Sequence, residues 1–547
     1  MSNKTSYWQP IVIALSIAIG VLTGYTIQDR YNQQGGEFSG LGRTGKIDAV
    51  MSYIDQKYVA DVDNNALSDV AIEEILEELD PHSYYFSAEE MTSVNEDMKG
   101  NFEGIGIEFF IVSDTIMVVT PLSGGPSEAL GIQSGDKIVM IDDSLVAGIG
   151  ITNSQVVKML KGKKGTLVKV GIKRNNKSEL IDYTIRRDKI PIYSVDVSFM
   201  QDDATGYIKI NRFNAQTYHE FRQAMEKLEE SEVQNLILDL RQNPGGYLEE
   251  AIKILDDFID GRKELLYTQG RQHPKFTYNA SRPGVFEEGQ LVILIDQGSA
   301  SASEIVAGCV QDWDRGPIIG RRSFGKGLVQ EQYGFRDGSA MRLTVAKYYT
   351  PSGRCIQKPY TNGEADEYQD DLFNRYDHGE LFVADSMEII DSLMFYTKIE
   401  KRKVYGGGGI MPDIFIPIDT LGFDDFFGAI SQNGLIQQFS YDYYNNHKSN
   451  FEQFENVSQY KATFNVSSTI MNQFIDYVKR NNVSVPDNIN PDTKAIIENR
   501  LKAYMAKQHW SNEGFYPILL SRDPVYKAAL DYIKNPTSNL MSLNEKQ

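Results

Sequence analysis

Two short stretches constrain this chain most: Leu236-Ile-Leu-Asp-Leu240 and Leu291-Val-Ile-Leu-Ile295. Each is a near-continuous apolar run rather than an alternation, the pattern of a strand covered on both faces. Each leads through glycine into a stretch of helical spacing, and Gly206-Tyr-Ile-Lys-Ile210 followed by a helical run over 216–230 adds a third unit. Strand and helix in alternation predict an α/β core from 189 to about 360. Arg336-Asp-Gly-Ser339 reads as a hairpin turn between 328–335 and 340–348, so the sheet system is mixed.

The flanking regions differ. Residues 101–188 alternate short apolar runs (105–111, 116–119, 138–141, 167–172) with turns, and fit one helix at 152–160, which predicts a compact β-rich module. Residues 43–80 carry helical spacing ended by Asp80-Pro-His-Ser83. Residues 361–402 are acidic at first and then read as helical; Gly406-Gly-Gly-Gly409 is a turn returning to the core. Residues 420–547 read as mostly helical. Ile11 to Ile27 is a run of 17 residues without a charge, near the lower limit for a single span. It reads as an N-terminal anchor, with a cleaved signal as the alternative, and either one implies export.

Composition excludes several classes. The 547 residues carry a net charge of −20, which argues against a nucleic-acid partner. Two cysteines, Cys309 and Cys355, cannot make a disulfide framework or a Cys-rich zinc site, and the six histidines are scattered, so no metal or other cofactor is expected.

The chemistry concentrates around two residues 25 positions apart. Ser301 falls between the apolar run 291–295 and a helix carrying Ile305, Val306, Cys309 and Val310. That position is a helix first turn, where unpaired N–H groups and the macrodipole would stabilise an oxyanion. The competing reading is a capping box, Ser301-Ala-Ser-Glu304. Lys326 lies between Gly325 and Gly327. Gly320 to Lys326 matches a phosphate loop, but the next position is Gly327, where such a loop needs Ser or Thr, and a strand follows instead of a helix. On a strand, Lys326 and Gln330 would share a face. A lysine base must be neutral, and at its ordinary pKa only about 0.04% is neutral at pH 7. Gly245 or Gly246, in the turn after the first apolar run, could supply an oxyanion amide.

Four blocks, in order and spacing, resemble the C-terminal processing peptidases, or tail-specific proteases: Gly104-Ile-Gly-Ile107, Leu238-Asp-Leu-Arg-Gln-Asn-Pro-Gly-Gly246, Gly298-Ser-Ala-Ser-Ala-Ser-Glu304 and Phe324-Gly-Lys-Gly-Leu-Val-Gln330. The resemblance spans about residues 44–418. It implies a serine endopeptidase with Ser301 as nucleophile, Lys326 as general base and Gln330 orienting Lys326. Gly246 and Ala302 would lend the oxyanion amides, with Gly245 as the alternative to Gly246. It also implies a PDZ domain whose loop Gly104, Ile105, Gly106 and Ile107 binds a substrate's terminal carboxylate, and which gates the site.

The implied division is 1–30 anchor or signal, 31–100 linker and helical region, 101–188 PDZ domain, 189–418 peptidase core and 419–547 helical extension. The extension lies outside the four blocks and is open to caging the site, binding a partner or forming a homodimer. The expected partners are proteins with accessible C-termini, and the expected location is the bacterial cell envelope, outside the cytoplasm. The competing function is an inert adaptor that holds tails without cleaving them.

Overall fold

The computed structural model describes residues 45–112, 114–122, 124–133, 135–174, 179–361, 368, 370–387 and 391–536. The expected anchor at 1–30 and linker at 31–42 lie outside them. Among the described residues no helix is long and apolar enough to cross a membrane. The described residues fall into two compact units that divide after Glu74. The first contributes helix Gly45–Lys57 and most of Asn64–Glu77, in which the Asp63 carboxylate accepts the Asn65 and Ala66 N–H groups. Ile47 and Val50, which carry the helical spacing, are more than half exposed.

The second unit is built on a six-stranded sheet in the order Val195–Met200, Thr205–Ile210, Asn235–Asp239, Gln290–Ile295, Ile318–Gly320, Ile414–Phe415. The first pair is antiparallel and the rest are parallel. The apolar runs behave as their pattern demands. Leu236, Leu238, Ile293 and Ile295 face one core with helices Thr217–Glu229, Leu248–Leu255 and Ala302–Asp312. Ile237, Val292 and Leu294 face the other side, because side chains alternate along a strand.

That other side is closed from far along the chain. Helix Pro524–Lys534 lays Val525, Tyr526, Ala529 and Ile533 on it. Val525 and Ile533 bury roughly 1.5–3 kcal/mol each. The preceding helical run Pro491–Leu519 kinks at Trp510–Ser511, and beyond the kink Asn512 and Tyr516 bond to Asp196 on the sheet edge. The extension thus completes the core of the sheet, a role its own sequence did not reveal. Helix Ala302–Asp312 departs from its expected one-sided pattern: every residue in it is buried.

A second, antiparallel sheet joins Tyr84–Phe86, Ala340–Tyr349, Glu264–Gln269 and Phe276–Asn279, with Leu328–Gly334 paired to Ala340–Tyr349 across the expected hairpin. The helix expected late in 361–402 is replaced in part by a hairpin, Met394–Tyr396 with Lys403–Tyr405, since β pairing satisfies these short apolar stretches.

The β-rich module has the sheet order Ile107–Val112, Thr115–Pro121, Lys137–Ile141, Leu167–Lys173, Ile181–Arg186, and helix Asn153–Leu160 capped by Thr152. Its outer face meets the helical extension: Lys507 lies 3.6 Å from Glu108, and Tyr441 fills the space beside Gly135. Cys309 and Cys355 are both free thiols.

Candidate active site

Ser301 sits where strand Gln290–Ile295 turns into helix Ala302–Asp312, with φ 54° and ψ −112°. This conformation is costly for a residue with a Cβ and persists only where neighbours enforce it. The enforcement is local to the two strand ends. Asp296 accepts the N–H groups of Gln242 and Gly298. Ser299 Oγ donates to Leu240 O. Asn243 O accepts both Ala300 N–H and Ser303 Oγ–H.

The glycine turn after strand Asn235–Asp239 is pressed against this serine. A Cβ on Gly245 would stand 2.8 Å from Ser301 Cβ, and one on Gly246 would stand 2.0 Å from Phe213 O, so both positions require glycine. The Gly245 N–H is already donated to Asn243 Oδ1 at 2.9 Å. Among the described residues, the N–H groups of Gly246 and Ala302 meet no acceptor. Of the two glycines weighed as an oxyanion donor, Gly246 is therefore the one with a free amide.

Lys326 reaches the same place from the other sheet. It lies just before strand Leu328–Gly334, and its Nζ donates to Gln330 Oε1 at 2.9 Å. Gln330 Nε2 in turn donates to the carbonyl of His82. His82 is buried, and its Nε2 meets Tyr368 OH at 2.8 Å. Asp80-Pro-His-Ser83, read as a simple helix-ending turn, is thus also the support of Gln330. Its Ser83 Oγ–H goes to Asp80, so Ser83 and His82 form no hydrolytic pair. Gly325 and Gly327 allow close approach: Cβ atoms there would stand 3.2 Å from Gly409 N and 2.7 Å from Gln357 N.

One residue joins the two halves. The fully buried Glu304 accepts Ser301 N–H (2.8 Å) and Lys326 N–H (2.9 Å) on the same oxygen. Its other oxygen takes Ser323 Oγ–H (2.5 Å) and Gly325 N–H (2.7 Å). Tyr348 OH bridges the carbonyls of Lys326 (2.9 Å) and Ser301 (3.4 Å). Among the described residues no hydrogen bond runs from Lys326 Nζ to Ser301 Oγ. Glu304 was legible as half of a capping box. Its second partner, 22 residues on, was not.

The electrostatics shift Lys326 toward its neutral form. Burial, with help from the Arg342 charge, lowers the Lys326 pKa to about 8. Burial pushes the Glu304 carboxyl up to about 7, against four hydrogen bonds that favour its charged form. Burial and the neighbouring Lys326 hold His82 at about 4, leaving a neutral ring. Among the described residues no cluster of His, Cys, Asp and Glu could hold a metal ion.

In the β-rich module, the loop Gly104, Ile105, Gly106 and Ile107 folds with Gly106 at φ 72°. Ile105 O accepts from Ser127 and Gly106 O from Leu122, whereas the Ile105 and Gly106 N–H groups meet no acceptor among the described residues. Strand Ile107–Val112 begins here and forms an edge of its sheet.

Comparison with known proteins assigns the pieces. Residues 204–364 match peptidase family S41, residues 104–185 match the PDZ domain, and residues 426–511 match a family of unknown function. A probable CtpA-like serine protease of Staphylococcus haemolyticus is 33% identical over 377 residues, 67% of this chain and 74% of that protein. A carboxy-terminal-processing protease of Bartonella bacilliformis is 35% identical over 331 residues, 60% and 74% of the two chains. Among solved structures, a photosystem II D1 C-terminal processing protease aligns with 29% identity and a TM-score of 0.33, over 56% of this chain and 83% of that one. The chain belongs to the C-terminal processing peptidase family of PDZ-containing serine peptidases.

Proposed function

We propose that this serine peptidase cleaves polypeptides with Ser301 as nucleophile and Lys326 as general base, Gln330 orienting the amine. The observation that carries the reading is the shared Glu304 oxygen, which ties the Ser301 and Lys326 amides to one point while Gln330 fixes Lys326 Nζ. Neutral Lys326 takes the Ser301 hydroxyl proton as Oγ attacks the scissile carbonyl. The developing oxyanion is met by the unspent N–H groups of Gly246 and Ala302. The lysine ammonium then gives its proton to the leaving amine, and the acyl-enzyme is hydrolysed with Lys326 activating water. At a pKa of about 8, about 9% of Lys326 is neutral at pH 7, some two-hundredfold more than in an exposed lysine.

The tail of the substrate is held at Gly104, Ile105, Gly106 and Ile107. Two unspent amides in a glycine turn suit a terminal carboxylate, and the open edge of Ile107–Val112 suits strand addition. In this reading 101–188 selects tails, 189–418 cleaves them and 419–547 braces both. The expected setting is the cell envelope, with 1–30 as its tether, and a homodimer through the extension belongs to the same reading. Residues 31–547 should degrade an unfolded protein with an apolar free C-terminus faster than its C-terminally amidated form. Equal rates on the two would remove the tail-binding role. An adaptor that only holds tails would bind the free carboxylate and leave the protein intact.

A further inference from the structure

On the far side of the sheet's carboxyl end from Ser301 lies a second cavity, of about 360 Å³, walled by the sheet and the helical extension. Sites for small ligands fall in this size range, and in α/β sheets they fall outside the carboxyl ends of strands. In a chain of net charge −20, this cavity gathers Arg241, Arg321, Arg500, Arg522 and Lys527 against Asp419, Asp492 and Asp523. Two of these cations are already engaged: Arg241 by Asp239 and Asp523, and Arg321 by Asp296 and Gln297. Asp523 is occupied by Arg241 and by the N–H of Tyr526. Arg500, Arg522 and Lys527 have no ion-pair partner among the described residues, and burial lowers the Arg500 pKa. Ile418, Leu421, Ile496 and Leu519 supply an apolar wall. Arg500 is half-buried while Arg522 and Lys527 are exposed, so Arg500 alone bears a desolvation cost that a bound anion would offset.

The cavity is wired to the catalytic turns. Arg321 Nε donates to Gln297 Oε1 at 3.0 Å, and Arg321 lies 3.9 Å from Asp296, the carboxylate that holds Gln242 and Gly298. Arg241 directly precedes Gln242 and the oxyanion turn.

We infer that this cavity binds an aliphatic carboxylate, its chain on the Ile418 and Leu519 wall and its charge on Arg500 and Arg522, and that occupancy adjusts the Ser301 turn through Arg321. Two sources share that chemistry, a fatty acid and a peptide ending in an apolar residue. Calorimetry on full-length Ser301→Ala, which binds without turnover, separates this inference from the dyad. Octanoate is expected to bind one site per chain. Octanol, and octanoate added to R500Q/R522Q, should each bind at least tenfold more weakly. Lys527→Gln, at an exposed position, should give a smaller loss without threatening the fold. A hexapeptide with a free C-terminal leucine that displaces octanoate would name peptide tails as the source; one that does not would name fatty acids. Octanol binding as tightly as octanoate, or R500Q/R522Q binding octanoate as tightly as the parent, overturns the site. With Ser301 restored, octanoate should change the cleavage rate of a quenched peptide at least twofold and leave R500Q/R522Q unaffected. An unchanged rate overturns the coupling.

Discussion

The two sheets of the peptidase core hold Ser301 and Lys326 by different means. The parallel sheet holds Ser301 through contacts between adjacent strand ends, Asp239 to Asn243 on one and Asp296 to Ser301 on the next. The antiparallel sheet holds Lys326 through partners scattered over the chain: Gln330, the His82 carbonyl 248 residues from Gln330, and the Gly409 and Gln357 backbones. Ser301, the proposed nucleophile, is therefore preset by the strand–turn–helix unit itself. Lys326, the proposed base, is placed by segments distant in the chain. In such a design, activity can be adjusted at the lysine with the nucleophile left in place.

The largest effects should come from removing either partner. Ser301→Ala and Lys326→Ala should each lower kcat/KM by about 10³-fold or more on an unfolded protein substrate. Near-wild-type turnover in either variant would break the pairing of the two sheets. Gln330→Ala keeps both reacting groups and frees the amine to swing, so a loss of roughly 10²-fold in kcat is expected with thermal stability nearly unchanged. A loss of stability that matches the loss of rate would make Gln330 a structural residue instead.

Asn243→Ala probes the parallel side. It orphans the buried Gly245 N–H and Ile210 O, for a cost of about 2–4 kcal/mol in urea unfolding. A cost within about 0.5 kcal/mol would mean that the Ser301 turn is not held as described.

The smallest effect is a titration. In the proposed role Lys326 acts when deprotonated, so kcat/KM should rise with pH and level off above an apparent pKa near 8. Removing the like charge with Arg342→Gln should move that midpoint upward by less than a unit, since burial is the larger cause. The stability linkage has a matching sign. The folded-state pKa of Lys326 lies below its unfolded value, so folding releases a proton and this group's penalty fades between about pH 8 and 10.5. A downward shift in Arg342→Gln would exclude the charge as a cause.

Much of this was legible in the residues. Leu236–Leu240 and Leu291–Ile295 declared a covered sheet because burial on both faces leaves no polar alternation. The order of four glycine- and serine-rich blocks declared the family. The helices of 420–547 were also readable, and the free amides of Ile105 and Gly106 occur where the glycine-bearing loop suggested them.

Other features depended on contacts between residues far apart in sequence, which no local pattern records. Helix Pro524–Lys534 closes the second face of the sheet, although its apolar spacing would suit any core. Glu304 carries a capping-box signature, but its bonds to Ser323, Gly325 and Lys326 reach 19 to 22 residues along the chain. The side chains proposed as the catalyst were readable in the sequence, since chemistry selects residue types. The depression of the Lys326 pKa was decided by the tertiary structure alone, because desolvation is a property of what surrounds a group and not of the group itself.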